Sequence, residues 1–194
     1  MLFGSLPEAN MKTILFLANS EHGQTNIILA LTHELILHPD IDIHIASFPA
    51  LERRVHKLLH DNAPRYNAHN VASVSSRVHF HPIRGPSNTE VFLRTGKRGA
   101  FHPPGATGAV LGFKSLIEDI WGWNEEEYVD VYNSCLETVK DVRPDLVVVD
   151  FFFLQGRDAA HNMGHTAVLM NTTSLSHIVL GLQKHSSPLW KYPL

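Results

Sequence analysis

Thr13-Ile-Leu-Phe-Leu-Ala18 and Leu146-Val-Val-Val149, the second running straight into Asp150, are the two segments on which the fold turns. Both are unbroken apolar runs of strand length, as parallel strands covered on both faces require. Working outward from the first, the polar loop Asn19-Ser-Glu-His-Gly-Gln-Thr-Asn26 leads to Ile27, Ile28, Leu31 and Leu35. These recur at helical spacing, and Pro39 stops the helix. Ile43 and Ile45 alternate with polar residues in a second strand, Asp42–Ser47, and Leu51–His60 reads as a charged surface helix. A third strand spans Arg77–Ile83, and a long Gly- and Pro-rich loop spans Arg84–Thr107. Helix is expected from Val110 to Val142 with a break near Gly122. Around the second apolar run, the pattern predicts a helix over Gln155–Met163, a strand over Thr166–Met170 and a helix over Leu175–Lys184.

This alternation predicts an α/β fold, a Rossmann-like parallel sheet with helices on both faces. Strand order 3-2-1-4-5 places strands one and four side by side at the switch point, with Leu146–Val149 expected at the centre. Ligands bind such sheets beyond the carboxyl ends of the strands. The loop carrying His22 and the strand ending in Asp150 are therefore expected to face one crevice. Residues 1–11 read as a flexible extension, 12–185 as the domain, and 186–194 as the start of a linker.

The chain has 194 residues, 44% of them hydrophobic and 18% charged, with a net charge of -3. That balance carries no basic footprint for nucleic acid, and no apolar run reaches the roughly 18 residues of a membrane span. Ile14–Ala18 is too short for the hydrophobic region of a signal peptide. The chain reads as cytoplasmic, with peripheral membrane association left open. The single cysteine, Cys135, permits no intramolecular disulfide and sits where a helix would bury it.

Nucleotide fingerprints fail, because Gly23 stands alone where a dinucleotide loop needs three spaced glycines. No Gly-x-Ser-x-Gly elbow follows a strand. Among the 14 histidines, His33 and His38 are five apart and point to different sides of a helix. His56 and His60 share a helix face, and His79 and His81 share a strand face. Neither pair has a third ligand nearby in sequence, so no metal site is assigned. The pair that retains a chemical reading is His22 with Asp150. A histidine with a carboxylate behind it can deprotonate a hydroxyl, since the carboxylate stabilises the imidazolium. The plain alternative is a loop histidine and a capping aspartate.

Residues 14–55, with ILFLANSEHGQTNIILALTHEL at their start, and residues 144–176, PDLVVVDFFFLQGRDAAHNMGHTAVLMNTTSLS, resemble the UDP-glycosyltransferase superfamily, family 1, particularly its fungal members. The resemblance implies the N-terminal half of a GT-B fold, which binds the acceptor. It implies a UDP-sugar as co-substrate, held mainly by a C-terminal domain in cis or in trans, with no cofactor or metal. The activity implied is inverting transfer of a hexose to a hydroxyl of a small lipophilic acceptor. Asp150 matches the family's dyad carboxylate. The family's histidine position is Gln24 here, and its proline position is Ile27, so His22 is read as the base. Gly23, Gln24, Phe151 and Asn171 are implied on the substrate side. Two other readings stay open, a non-catalytic small-molecule-binding domain and one subunit of a split glycosyltransferase.

Overall fold

The computed structural model describes residues 11–62, 76–95, 103–120 and 122–172. Five strands are present: β1 (Lys12–Leu17), β2 (Ile41–Ser47), β3 (Val78–Pro82), β4 (Leu146–Asp150) and β5 (Ala167–Met170). They form one parallel sheet in the order β3-β2-β1-β4-β5. This is the expected order, with β1 and β4 adjacent. The central strand is β1, however, rather than Leu146–Val149, because β4 has only β5 outside it while β1 has two strands on its far side.

Six helices accompany the strands among the described residues: α1 (His22–Leu35), α2 (Glu52–Asn62), α3 (Asn88–Thr95), α4 (Ala106–Ile120), α5 (Glu125–Val142) and α6 (Leu154–Asn162). Alternation along each strand sorts its side chains to opposite faces. Phe16, Ile43, Ile45 and Val148 pack with Ile28 and Ile36 of the α1 region and Val55 of α2. Leu15, Leu17, Ala46, Val147 and Val149 pack instead with Val131, Cys135 and Val139 of α5 and Ala159 and Ala160 of α6. Both faces are thus covered, which is why β1 and β4 read as unbroken apolar runs. The extension 1–10 and the region after 172, including the expected helix Leu175–Lys184 and the linker 186–194, lie outside the described residues.

Two local signals shape the region after β3. The stretch Arg84–Thr107, expected to be loop, contains α3. Its start is held by a reciprocal pair in which the Ser87 amide donates to Glu90 Oε2 at 2.7 Å and the Glu90 amide donates to Ser87 Oγ at 3.3 Å. This is a capping box, Ser-x-x-Glu. A second one, Asn124 with Glu127, starts α5 after the expected break.

Gly85 ties this region to α5. Its φ is +90°, and an added Cβ would lie 2.7 Å from Val131 Cγ2. Both the left-handed backbone and the contact exclude a side chain. Gly85→Ala is expected to destabilise the fold by about 2–3 kcal/mol, read as a lower urea midpoint. An unchanged midpoint would show that the turn is not held against α5.

Candidate functional site

The crevice opens at the carboxyl ends of β1, β2 and β3. A cavity of about 820 Å³ lies between the β1–α1 loop, the Phe48–Ala50 turn after β2 and the Pro82–Glu90 segment after β3. That volume is within the range of small-molecule sites. Two anchors fix its far wall. Trp123 Nε1 donates to the Pro86 carbonyl at 2.8 Å, and the Arg84 amide donates to Ser134 Oγ at 3.1 Å. Glu21 joins the near and far walls, with Oε1 accepting from both the amide and the hydroxyl of Thr89 at 2.9 Å.

His22 opens α1, is exposed, and lines this cavity. It also lines an adjoining space of about 570 Å³ together with Arg53, Arg54 and Lys57 of α2. Arg54 is oriented by hydrogen bonds to Thr25 Oγ1 and Asn26 Oδ1, both 2.5 Å. The mouth of the crevice is therefore basic, and the positive end of α1 adds to that field.

Asp150 lies elsewhere in the crevice floor. It is fully buried at the end of β4 and is not part of the cavity wall. Its Oδ1 accepts from the Phe152 amide at 3.2 Å, while Oδ2 has no hydrogen-bond partner among the described residues. Burial pushes its pKa up to about 6, against the pull of the Phe152 and Asn19 donors, and the nearby Glu21 charge raises it further. Among the described residues no hydrogen bond or ion pair joins His22 to Asp150; Asn19 is the side chain that meets Asp150 from the first loop. The topology brings the two sequence candidates to the same end of the sheet, with Asn19 and Glu21 closer to the carboxylate.

The four substrate-side candidates divide similarly. An added Cβ at Gly23 would meet nothing within 4 Å among the described residues, leaving open space beside the first turn of α1. Gln24 is half-buried, and its Oε1 is buried without a partner among the described residues. Phe151 and Asn171 sit together at the ends of β4 and β5, where the Phe151 amide donates to the Met170 carbonyl at 3.0 Å.

Sequence reasoning passed over several polar residues at this end of the sheet. Asn19, Ser47 and Gln155 are buried, and each has side-chain atoms unpaired among the described residues. Buried polar groups are ordinarily satisfied, so their concentration at the carboxyl ends of β1, β2 and β4 marks the floor of a site. The signal available was positional, since each lies at or within a few residues of a strand's carboxyl end.

No protein-family model matches the chain. Among curated proteins the chain is 27% identical over 189 residues to "Glycosyltransferase sdnJ" of Sordaria araneosa, covering 95% of this chain and 36% of that protein. The chain thus spans about a third of the length of this relative. Among solved structures it is similar to the calicheamicin glycosyltransferase (18% identity, TM-score 0.49, 91% of this chain and 38% of that one). It is also similar to the glycosyltransferase SnogD from Streptomyces nogalater (14% identity, TM-score 0.49, 84% and 34%). A third similar structure is a ugt transferase from Siraitia grosvenorii in complex with UDP (14% identity, TM-score 0.44, 82% and 28%). The likeness to glycosyltransferases expected from residues 14–55 and 144–176 is found across nearly the whole chain. No helix among the described residues is long and apolar enough to cross a membrane.

Proposed function

We propose that this chain is the acceptor-binding half of a GT-B glycosyltransferase that moves a hexose from a UDP-sugar to a hydroxyl of a small lipophilic acceptor, with inversion. The observation that carries the reading is the likeness to a curated glycosyltransferase along 95% of the chain. The cavity and the basic mouth at the carboxyl ends of β1–β3 support it.

In this reading the acceptor lies against Phe48 and Ile83, with its hydroxyl at His22. His22 takes the hydroxyl proton as the oxygen attacks the anomeric carbon. The bond from that carbon to the diphosphate breaks with its electron pair, and UDP departs. Arg53, Arg54 and Lys57 place positive charge where the diphosphate approaches, which stabilises the charge developing on the leaving group. The donor is held mainly by a second domain, in cis or in trans. Asp150 acts on the first loop through Asn19, holding the segment that presents His22.

The test separates binding from turnover. Residues 1–194 are expected to bind phenolic or sterol alcohols in the cavity, detected by ligand-observed NMR, and to transfer no sugar from UDP-glucose. Turnover by this chain alone would overturn the divided site. Failure of every alcohol in the panel to bind would overturn the acceptor-side assignment.

A further inference from the structure

Along β2 and β3, on the face that carries Leu15, the sheet presents Asp42, His44, His79 and His81. We propose that Asp42, His44 and His79 form a binding site for one divalent transition-metal ion of the zinc class, with His81 as the outer partner of His44. Asp42 Oδ2 lies 3.1 Å from His44 Nε2, and Oδ1 lies 3.2 Å from His79 Nε2. Ligands bonded at roughly 2.0–2.1 Å to a tetrahedral ion stand about 3.3 Å apart, so both pairs already have the spacing of ligands. All three donor atoms lie within 4.8 Å of one another. The rings of His44 and His79 stack with centroids 4.6 Å apart. Closing on one ion therefore asks for a turn of His79, the most exposed of the three at 41%.

The surroundings favour an ion over a simple polar ladder. His44 Nδ1 stands 2.8 Å from His81 Nε2. With His44 Nε2 given to a metal, its remaining proton sits on Nδ1 and is donated to His81. Such outer hydrogen bonds fix the tautomer and the ring of a metal-bound histidine. The donors project from two hydrogen-bonded strands, a rigid base of the kind that holds ligand geometry. Two imidazoles and one carboxylate select zinc, nickel or copper over magnesium or calcium, which prefer oxygen-rich shells. Exposure of His79 leaves room for water in the fourth position. The ion would clip β3, an edge strand, to β2 just before the chain enters the cavity wall. The site was not legible in the sequence because its donors come from two strands whose residues are 37 positions apart.

The test uses the full chain carrying His56→Gln and His60→Gln, which removes the separate histidine pair on α2. After chelation and dialysis the protein is titrated with Zn²⁺ by calorimetry, and with Co²⁺ as a visible probe. One ion per chain and a tetrahedral Co²⁺ spectrum are expected. Asp42→Asn and His79→Gln should each weaken Zn²⁺ binding at least about tenfold, and His81→Phe should weaken it about 10–100-fold. His79→Gln changes a half-buried side chain on an edge strand, and its circular dichroism melt without metal should match the parent. Absence of stoichiometric binding in the parent, or a loss below tenfold in both Asp42→Asn and His79→Gln, would overturn the proposal.

Discussion

Asp150→Asn is expected to raise the melting temperature near pH 7 by on the order of 5–10 °C, while lowering sugar transfer by the two-domain enzyme proposed above at least about a hundredfold. The stability gain follows from the burial of this carboxyl at the end of β4. Its pKa in the fold is about 6, against an ordinary 3.8. An acid whose native value is raised binds its proton more tightly in the fold than in the unfolded chain. Stability is therefore greatest below the unfolded value and declines as pH rises from about 4 to about 6. At about 1.4 kcal/mol per pH unit of difference, ionised Asp150 costs the fold about 3 kcal/mol at pH 7. Asparagine has no charge to desolvate and keeps an oxygen for the Phe152 amide. The amide offers one acceptor oxygen where the carboxylate has two, which weakens its hold on the Asn19 donors and with it the position of the first loop. The gain should vanish below about pH 4, where both side chains are neutral. Thermal melts of parent and variant from pH 3.5 to 7.5 read the effect directly. Parallel curves across that range would show that Asp150 is solvated or paired in solution. A stabilised variant with undiminished transfer would remove Asp150 from the reaction. Strain kept at a site for its chemistry predicts both changes together.

The sheet was legible because parallel strands covered on both faces leave a simple trace. The two apolar runs Ile14–Ala18 and Leu146–Val149 mark neighbouring strands from sequence alone, and Asp150 follows from the end of the second run. The helix α3 was less legible. Pro86 and the Gly-Pro-rich flanks outweighed the Ser87-x-x-Glu90 capping box, and eight residues are too few for a strong apolar period. The relation of His22 to Asp150 shows a different limit. Strand order fixes which ends share a crevice, but which loop atom meets a carboxylate depends on how a short turn is wound. Here the turn gives that place to Asn19, and Glu21, without a side-chain cap role, reaches across to Thr89. The Asp42–His44–His79 group lay beyond reach for the opposite reason. It needs the β2–β3 register, which pairs His44 with His79, and spacing within one strand cannot supply it.

In the two-domain enzyme proposed above, His22→Ala is expected to lower turnover at least about a hundredfold, roughly 3 kcal/mol or more of barrier, with Gln24→Ala costing less than about threefold. Positions 22 and 24 are about 200° apart around a helix, so they cannot serve the same point in space. His22 faces the cavity and the basic mouth. Gln24 instead buries an amide oxygen that is unpaired among the described residues, and an amide cannot take up a proton at ordinary pH. The double variant His22→Ala/Asp150→Asn should lose little more than either single variant, because a base and the residue that positions its loop act as one unit. The split between kcat and KM carries the mechanism. Loss of a base lowers kcat with KM for the acceptor nearly unchanged, whereas loss of a cavity contact raises KM. If His22→Ala keeps most of its rate, the base is not in the first turn of α1 as it stands. Gln24→His should then increase activity, because an imidazole at that position would replace the amide oxygen on the side of the helix opposite His22. A rise in that variant, with His22→Ala silent, would move the reacting hydroxyl from the cavity wall toward the floor, where Asn19, Ser47 and Gln155 hold atoms unpaired among the described residues.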